Sequence, residues 1–406
     1  MILDPWPLTS SEQEDLFRTL RFDYFKWDVQ ACGRRLVLPT SIVLTPQEHR
    51  DAVHITERFG DILTRLETSL LQRPDLLQRL GIPPDVIPLL TREQPTSLQL
   101  ARYDLFLTPD RRWMVSEFNE DVPGGFNEAV GIPDLLGPRL HSTAFHGDLR
   151  ASLLQALRPY PHIAFLYATG YSEDLQHMLV VRQWLEAQGH QTTLASPAHL
   201  TCSWRTPRIF GNPVHAAFRF YPAEWYQYLA NRHAWMRALP RLPLMNPLRR
   251  LIRQSKRLYA LWRDPSLLPP QDLDFLRDHT PQTLPYDALG NNGHSPRRDQ
   301  LLDQRHRWVL KHAFGRMGDT VIMGNLVPET EWTAALAEAD RAPGQWILQE
   351  RFDVHPLPDP ADGPLLYPAL GVYLVNHRFA GYYSRAAHHP FINHEAYHVA
   401  TLVQTP

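Results

Sequence analysis

The sequence predicts an α/β protein with α+β elements, built from more than one packed unit. The chain has 406 residues, which is more than a single hydrophobic core usually supports. A strand–helix–strand pattern covers residues 162–195, and strand-like runs alternate with turns and one helix after residue 307. Such a mixture of elements is typical of folds that pack helices against sheets.

The N-terminal region is predicted to be largely helical. Thr9 precedes an apolar-periodic stretch and marks a helix start. Thr45 and Pro46 predict the N-cap and the first position of a long helix that runs through about Leu71. The Pro- and Leu-rich residues 74–100 then predict short helices.

Residues 162–195 predict one α/β unit. Residues 162–167 form its first strand, Ser172 starts its helix, and Gly189 ends that helix before a second strand at 190–195. This unit is consistent with a Rossmann-like subdomain. The loop between the first strand and the helix lacks the three glycines of a dinucleotide fingerprint, which argues against NAD binding.

The C-terminal part of the chain is predicted to begin with a basic helix at 248–262 and a largely irregular segment at 263–305 with one short helix. Strand-like runs follow at 308–311, 345–349 and 371–375, with one helix near 331–339.

Charge and composition argue against several classes of protein. Lys and Arg total 41 and Asp and Glu total 43, a balance that argues against a general nucleic-acid-binding protein. The two cysteines, Cys32 and Cys202, argue against a disulfide framework. The N-terminus has no signal-peptide pattern and no window is apolar enough to span a membrane, so we expect a cytoplasmic protein. The 20 histidines lack zinc-motif spacing and are expected at surface or capping positions.

Residues 98–119 predict a β-hairpin that carries polar side chains on one face. Arg102 and Asp104 share a face of the first strand, and Glu117 and Asn119 share a face of the second. A turn in the middle of the segment places Asp104 opposite Glu117, about 5 Å apart, and Arg102 opposite Asn119. Two carboxylates and an amide oxygen suit Mg²⁺, whereas a solvated face with an Arg–Glu ion pair is the alternative.

A lysine followed by glycines forms the second candidate site. Lys311 ends a strand-like run, and Gly315 and Gly318 follow it in the pattern V-x-K-x₃-G-R-x-G. Glycines let backbone N–H groups approach a phosphate, and the lysine supplies a charge for its oxygens. Because the lysine precedes the glycines, the pattern is not a Walker A motif, and an ordinary hairpin with glycine in its turn is the alternative.

Three weaker features complete the set of candidates. Gln349 and Glu350 end an apolar strand, which predicts either an adenine hinge or an ordinary strand end. Lys256 lies in the predicted basic helix, where a solvated helix face is the alternative. Arg385 follows Gly381 in a strand and by itself indicates little.

Taken in order, these motifs resemble the circularly permuted ATP-grasp ligases, and specifically the synthetase domain of glutathionylspermidine synthase. The order is R-x-D, E-x-N, S-K, V-x-K-x₃-G-R-x-G, a Q-E hinge and G-x₂-S-R. Ordinary ATP-grasp enzymes place the metal-binding carboxylates after the glycine loop, whereas here they precede it. The resemblance extends from residues 24–28 nearly to the C-terminus.

The resemblance implies a role for each motif. It implies Mg²⁺ ligands at Asp104, Glu117 and Asn119, ATP-phosphate lysines at Lys256 and Lys311, a phosphate-covering loop from Gly315 to Gly318, an adenine hinge at Gln349 and Glu350, and arginines that face the transferred phosphate and the acyl phosphate at Arg102 and Arg385. Arg219 lies in a segment that also matches, where a structural arginine is the alternative.

The resemblance also divides the chain into regions. They are a helical N-terminal region (1–95), the metal-binding hairpin segment of the ATP-grasp core (96–150), a Rossmann-like pre-ATP-grasp subdomain (151–240) and the nucleotide-binding lobes (241–406). The turn-rich residues 288–298 are expected to form a variable loop.

The implied activity is the ATP- and Mg²⁺-dependent joining of a small-molecule or peptide carboxylate to an amine through an acyl phosphate, with release of ADP. This chemistry needs no side-chain nucleophile, in agreement with the lack of a Ser or Cys triad pattern. The amidase domain that some glutathionylspermidine synthases carry is not seen, so we expect no hydrolysis of the product. No acidic cluster is assigned to a polyamine. A non-catalytic nucleotide- or peptide-binding homologue and a small-molecule kinase are the alternatives.

Overall fold

The computed structural model describes residues 1–31, 33–94, 96, 98–204, 206–289, 296–316, 318 and 320–405. Its α-helices are Ser10–Phe22, Pro46–Leu70, Pro74–Arg79, Ile87–Arg92, Phe126–Leu136, Leu149–Leu157, Ser172–Glu186, Arg232–Ala238, Leu251–Gln254, Leu258–Leu261, Pro270–His279, Arg298–Asp303 and Glu329–Arg341. Short 3₁₀-helices are Trp27–Val29, Gly137–Arg139, Pro197–His199, Ala223–Tyr228, Leu248–Arg250, Tyr286–Ala288, Arg305–Arg307 and Pro343–Gln345. Cys32 and the middle of the predicted loop at 288–298 lie outside the described residues.

A large sheet joins strands from both ends of the chain. In spatial order its strands are Ile2–Pro5, Val37–Leu44, Tyr397–Gln404, Arg378–Ala387, Tyr367–Val375, Leu100–Leu107 and Trp113–Asn119, and Thr143–Ala144 also pairs with Tyr397–Gln404. Neighbouring strands are antiparallel except for Val37–Leu44 and Tyr397–Gln404, which run parallel. The N-terminal region therefore contributes strands as well as helices, and its strands complete a sheet that ends at the hairpin.

Two four-stranded sheets carry other parts of the molecule. The parallel sheet has the order Leu244–Met245, Ala216–Phe220, His162–Tyr167 and Gln191–Ala195. The antiparallel sheet, called the lobe sheet below, has the order Thr283–Pro285, Trp346–Glu350, Trp308–His312 and Val321–Met323. Two small sheets consist of Leu200–Ser203, Thr206–Ile209 and Asn212–Pro213, and of Gln30–Ala31 and Arg34–Arg35.

Most of the predicted local elements are confirmed. Thr9 and Thr45 each cap the helix that follows, because their side chains accept a hydrogen bond from a backbone N–H group of the first turn. The predicted α/β unit consists of the helix Ser172–Glu186 between the parallel strands His162–Tyr167 and Gln191–Ala195.

The prediction of one continuous basic helix at 248–262 is wrong. The segment consists of Leu248–Arg250, Leu251–Gln254 and Leu258–Leu261. Ser255 is extended between the last two, and the N–H group of Lys256 donates to the carbonyl oxygen of Ala313 at 2.9 Å. The alternative of a solvated helix face is also wrong, because Ser255 and Lys256 are buried. This backbone bond to a distant segment replaces the intrahelical bond that the sequence pattern predicts.

Residues 263–305 contain more regular structure than predicted. The helices Pro270–His279 and Arg298–Asp303 and the strand Thr283–Pro285 lie there. The strand pairs with Trp346–Glu350, a partner that follows much later in the chain. A short Pro-containing segment that pairs with such a distant strand has no sequence pattern of its own from which the strand could be predicted.

Aromatic packing holds the 248–262 segment against the back of the hairpin. The ring of Phe118 stacks on Tyr259 at a centroid distance of 5.0 Å and lies 5.4 Å from Phe59 of the long helix. Phe118 points away from the face that carries Glu117, since side chains alternate along a strand. The same packing therefore brings Lys256 close to the hairpin.

Cys202 is a free, buried cysteine. Within the part of the chain that the structure describes, no helix has the length and apolar character needed to cross a bilayer.

Candidate active site

A cavity of about 930 Å³ lies against the polar face of the hairpin. The predicted residues that line it are Arg102, Asp104, Glu117, Asn119, Lys311, Gly318, Gln349, Glu350 and Arg385. Lys256 and Gly315 are not part of its lining, but Nζ of Lys256 donates a hydrogen bond to the cavity-lining Glu117. Segments that are far apart in the sequence thus converge on one cleft.

The hairpin has the predicted register at the site. Asp104 pairs with Glu117, and Arg102 pairs with Asn119. Nε and Nη2 of Arg102 donate to the two oxygens of Asp104 at 2.8 and 3.0 Å, and Nδ2 of Asn119 donates to Asp104 Oδ2 at 3.0 Å. The ion pair on this face is therefore Arg–Asp along one strand, instead of the Arg–Glu pair of the alternative interpretation.

Glu117 lies between two lysines. Nζ of Lys256 donates to Oε1 of Glu117 at 3.1 Å, and Nζ of Lys311 donates to the hydroxyl of Ser116 at 3.4 Å. Burial opposes the ionisation of Glu117, but the charges of Lys256 and Lys311 outweigh it and hold the pKa of this carboxyl below its usual value. Burial lowers the pKa of Lys311 to about 8, although the charge of Glu117 acts against the shift.

The start of the glycine loop is fixed by charged groups. Nζ of Lys256 donates to the carbonyl oxygen of Gly315 at 2.7 Å. Nη2 of Arg316 donates to Glu224 Oε2 and to Asp121 Oδ2, both at 3.0 Å. These contacts connect the loop to Lys256, to Asp121 after the hairpin, and to the 3₁₀-helix Ala223–Tyr228, which carries Glu224.

Gly318 lies where only glycine fits. Its φ is +78°, and a Cβ atom there would lie 2.8 Å from the carbonyl oxygen of Ile392. Gly318 lines the cavity, whereas Met317 and Asp319 of the same loop lie outside the described residues.

Gln349 and Glu350 lie at the end of a lobe-sheet strand. The Gln349 side chain is buried, and its Nε2 donates to Oγ1 of Thr283 at 3.0 Å. Glu350 forms an ion pair with Arg307 at 3.2 Å. Beside them the cavity wall is apolar, with Phe106, Val309, Val321, Met323, Phe352, Val354 and Ala369. No sequence pattern predicts this apolar wall, because its members come from five separate strands or loops.

Arg385 and Arg102 are connected through one tyrosine. Nη2 of Arg385 donates to the carbonyl oxygens of Asn393 and Ala396 at 3.0 and 2.6 Å. Its Nη1 donates to the hydroxyl of Tyr383 at 3.3 Å. The Tyr383 ring centroid lies 4.9 Å from Cζ of Arg102.

Further carboxylates line the cavity. They are Asp28, Glu128, Glu173 and Asp174, and the rings of Tyr171 and Trp225 lie in the same lining. Lys26 forms ion pairs with Asp28 and Glu128, whereas burial, reinforced by the charge of Glu173, raises the pKa of Asp174 to about 7. No sequence pattern predicts this group of carboxylates, because they lie on three separate segments.

A family model now identifies the chain. The model for the glutathionylspermidine synthase preATP-grasp family matches residues 8–404. The chain belongs to this family.

A solved structure has a similar fold. A glutathione synthetase-like effector from Globodera pallida, in its apo form, superposes with a TM-score of 0.65 at 12% identity, over 98% of this chain and 99% of that one. A putative gamma-glutamylcysteine synthetase from Methylobacillus flagellatus gives a TM-score of 0.46 at 12% identity and covers 88% of each chain. A search of curated proteins finds no significant match. Family membership indicates a ligase in general terms.

Arg219 lies in the protein interior and is bonded to backbone carbonyl oxygens and to a buried carboxylate. It is 1% exposed and does not line the cavity. Its Nε and Nη1 donate to the carbonyl oxygens of Asn246 and Tyr221 at 2.8 and 2.6 Å, and its Nη2 lies 2.7 Å from Asp121. This geometry agrees with the alternative interpretation, in which Arg219 is a structural arginine.

The hairpin face fits Mg²⁺ better than it fits a transition metal. No group of three or more His, Cys, Asp or Glu side chains suited to a metal occurs among the described residues. The face offers oxygen ligands from Asp104, Glu117 and Asn119. Both oxygens of Asp104 accept hydrogen bonds from Arg102, whereas described residues donate none to Glu117 Oε2 or Asn119 Oδ1. Mg²⁺ prefers one or two carboxylate ligands and fills its remaining coordination positions with water and phosphate oxygens.

Proposed function

We propose that the chain is an ADP-forming ATP-grasp ligase that joins a carboxylate to an amine through an acyl phosphate, in the manner of glutathionylspermidine synthase. One observation carries the proposal. Oxygen ligands on the hairpin and the amine of Lys311 face one cavity, whose lining also includes Arg102 and Arg385.

The charges on the hairpin side of this cavity favour a triphosphate. Arg102, Lys256 and Lys311 exceed in number the carboxylates Asp104 and Glu117 to which they are paired or close. Arg385, whose nearest described partners are neutral oxygens, adds a further positive charge. The surplus attracts an anion, and Mg²⁺ bound at the two carboxylates would increase it.

The apolar wall beside Gln349 favours a flat base. Phe106 and Phe352 lie edge to face at a centroid distance of 5.9 Å and line the cavity together. Base–aromatic contact and burial of apolar surface are general means of holding adenine. We therefore place adenine at Gln349 and Glu350, and the phosphates toward Lys311 and the hairpin.

The reaction needs charge stabilisation more than it needs a nucleophilic side chain. A carboxylate becomes electrophilic when the γ-phosphoryl group of ATP is transferred to it, and an amine then displaces phosphate. Charge develops on the phosphoryl oxygens during transfer, so fixed cations lower the barrier. Arg102 and Arg385 are assigned to the transferred phosphoryl group and the acyl phosphate.

Two carboxylates of the cavity lining support an amine as the second substrate. A small-molecule or peptide amine that arrives as a cation is attracted by Glu173 and Asp174, since Asp28 and Glu128 are already paired with Lys26. The cavity volume of about 930 Å³ leaves room for a second substrate beside a nucleotide.

An ADP-release assay with Mg²⁺ and a panel of amino acids, short peptides and amines tests this function. Wild type is compared with Glu117→Ala and with Glu331→Ala, which changes an exposed helical glutamate outside the cavity. We expect amide formation with ADP release in wild type and Glu331→Ala, and its loss in Glu117→Ala.

Other outcomes identify the alternatives. Turnover that survives Glu117→Ala contradicts the metal assignment. A phosphorylated product that accumulates without an amide indicates a kinase, and nucleotide binding without turnover of any substrate pair indicates a binding protein.

A further inference from the structure

A buried polar network lies next to Arg102 and Arg385 of the cavity. Its members are Lys26, Glu128, Tyr383 and His398. Lys26 and His398 are 1% and 5% exposed. Polar groups at this depth are stable only when they are paired, so the side chains of such a network have defined positions.

Short contacts connect the network from Lys26 to Arg385. Nζ of Lys26 lies 2.6 Å from Oε1 of Glu128 and 3.2 Å from Nε2 of His398. Nδ1 of His398 lies 3.0 Å from the same oxygen of Glu128 and 3.1 Å from the Tyr383 hydroxyl. That hydroxyl accepts the hydrogen bond from Nη1 of Arg385 at 3.3 Å.

Lys26 determines the tautomer of His398. Burial and the positive charges of Lys26 and Arg385 hold the pKa of His398 well below its usual range, so the ring is neutral. An ammonium group can only donate, hence Nε2 accepts from Lys26 and Nδ1 carries the hydrogen. This hydrogen faces Glu128 and Tyr383, which fixes the ring orientation.

The backbone supports the same arrangement. His398 is the cross-strand partner of Arg385, and Tyr383 precedes Arg385 by two residues on the same face of its strand. Gly125 makes room for the Tyr383 ring, since a Cβ atom there would lie 2.6 Å from a ring carbon and the glycine has a φ of +102°.

We propose that Tyr383 is a positioning residue for Arg385 and Arg102, and that His398 and Lys26 hold Tyr383 in place. The proposal rests on the proposed function, in which both arginines act on phosphoryl groups. The Tyr383 hydroxyl holds Nη1 of Arg385, whereas Nε and Nη2 of this arginine bond to the carbonyl oxygens of Asn393 and Ala396. The ring face contacts Arg102 at 4.9 Å, in addition to the bonds of this arginine to Asp104 and to the carbonyl oxygen of Gly124.

The test separates the hydroxyl of Tyr383 from its ring. Tyr383→Phe removes only the hydroxyl, and Tyr383→Leu also removes the ring. Displacement of a catalytic group by about 1 Å costs on the order of 100-fold in rate. We expect Tyr383→Phe to lower kcat for ADP release by roughly 10–100-fold with an unchanged KM for ATP, and Tyr383→Leu to lower kcat further.

The adjacent tyrosine provides a matched control. Tyr382 points to the opposite face of the strand, where its hydroxyl lies 2.6 Å from Nδ1 of His49. Tyr382→Phe removes a comparable buried hydroxyl without touching either arginine, so kcat should stay at the wild-type value. An unchanged kcat in Tyr383→Phe, or an equal loss in Tyr382→Phe, would overturn the proposal.

Crystal structures of wild type and Tyr383→Phe test the positioning without relying on activity. We expect the Arg385 guanidinium to move or to occupy several conformers in the variant. An Arg385 side chain that superposes on that of wild type contradicts the proposal. If wild type turns over no substrate pair, the ligase assignment fails, whereas this crystallographic comparison still decides whether Tyr383 positions Arg385.

Discussion

Two ion-paired clusters lie side by side and differ in their access to the cavity. The sealed cluster consists of Glu67, Glu120, Arg250 and Arg253. The cavity cluster consists of Arg102, Asp104, Glu117, Lys256 and Lys311. No side chain of the sealed cluster is more than 6% exposed, whereas Asp104 and Glu117 are 23% and 25% exposed. The short segment around residue 253 supplies basic side chains to both clusters.

The difference shows which buried charges point to function. Two arginines balance two glutamates in the sealed cluster, so no charge is left for a ligand. The cavity cluster has three basic side chains against two acidic ones, and it borders open space. A buried ion pair alone is weak evidence for a site. A local surplus of positive charge beside a cavity is stronger evidence, because it attracts an anion.

Arg253→Met should have the largest effect on stability. It leaves Glu67 and Glu120 buried next to one remaining arginine, and loss of one partner of a buried pair costs about 3–5 kcal/mol. Urea unfolding followed by circular dichroism measures the change. The folded fraction should keep the wild-type KM for ATP, and a variant with wild-type stability would contradict the interpretation of this cluster.

Asp104→Asn should mainly affect activity. The substitution keeps the size of the side chain but removes the negative charge that faces Glu117 across the hairpin. We expect kcat/KM to fall on the order of 10²–10³-fold, with a higher Mg²⁺ requirement. Asp110→Asn makes the same chemical change at the exposed turn of the hairpin and should leave kcat/KM unchanged. Equal losses in the two variants would contradict the distinction.

The pH dependence of ATP binding should reveal Lys311. Its pKa of about 8 lies below the ordinary value of 10.5, so the lysine loses its charge as the pH rises through 8. The KM for ATP should therefore increase about tenfold by roughly pH 9. Lys311→Arg should abolish this increase, because a guanidinium stays protonated in this range. A KM that rises equally in both proteins would exclude Lys311 as the titrating group.

The lowered pKa of Lys311 also affects folding stability. A rise in pH should weaken ATP binding but increase the free energy of unfolding. Between about pH 8 and 10.5 the unfolded chain binds more protons at Lys311 than the folded one. The contribution of this residue to the free energy of unfolding should therefore increase as the pH rises through that window. Guanidinium unfolding of wild type and Lys311→Met at both ends of the window measures the difference.

Arg307→Ala should have the smallest effect. Its pair with Glu350 is solvated, with side chains 51% and 38% exposed, and such pairs contribute about 0–1 kcal/mol. Thermal unfolding should show little change, and the KM for ATP should stay within about twofold of wild type. A large increase in KM would mean that Glu350 depends on this arginine for its position at the cavity.

Features that depend on neighbours in the sequence could be predicted. The caps at Thr9 and Thr45 follow from spacing alone, because helix starts are local structures. The pairing of Asp104 with Glu117 was also predicted, but a bulge between this pair and the pair of Leu105 with Val115 shifts the register, so the distance from the turn does not by itself set it. The break at Ser255 could not be predicted in the same way. It depends on a hydrogen bond between Lys256 and Ala313, and no propensity of the segment itself signals that partner.

The candidate site shows the same division. The order of the motifs placed Glu117 and Lys311 in one site, and the structure gives them a shared cavity. The contacts of Arg316 with Asp121 and Glu224 were not assigned, although this arginine stands inside the quoted glycine motif.

By itself, the sequence determined the local elements, the face on which each polar side chain of the hairpin lies, and the family to which the chain belongs. Only the tertiary structure decided which charges are sealed, which face the cavity, and how Lys26 and His398 approach Arg385. The physical reason is that periodicity is set by neighbours along the chain. Burial and charge balance depend instead on segments hundreds of residues apart, such as those of Lys26 and His398.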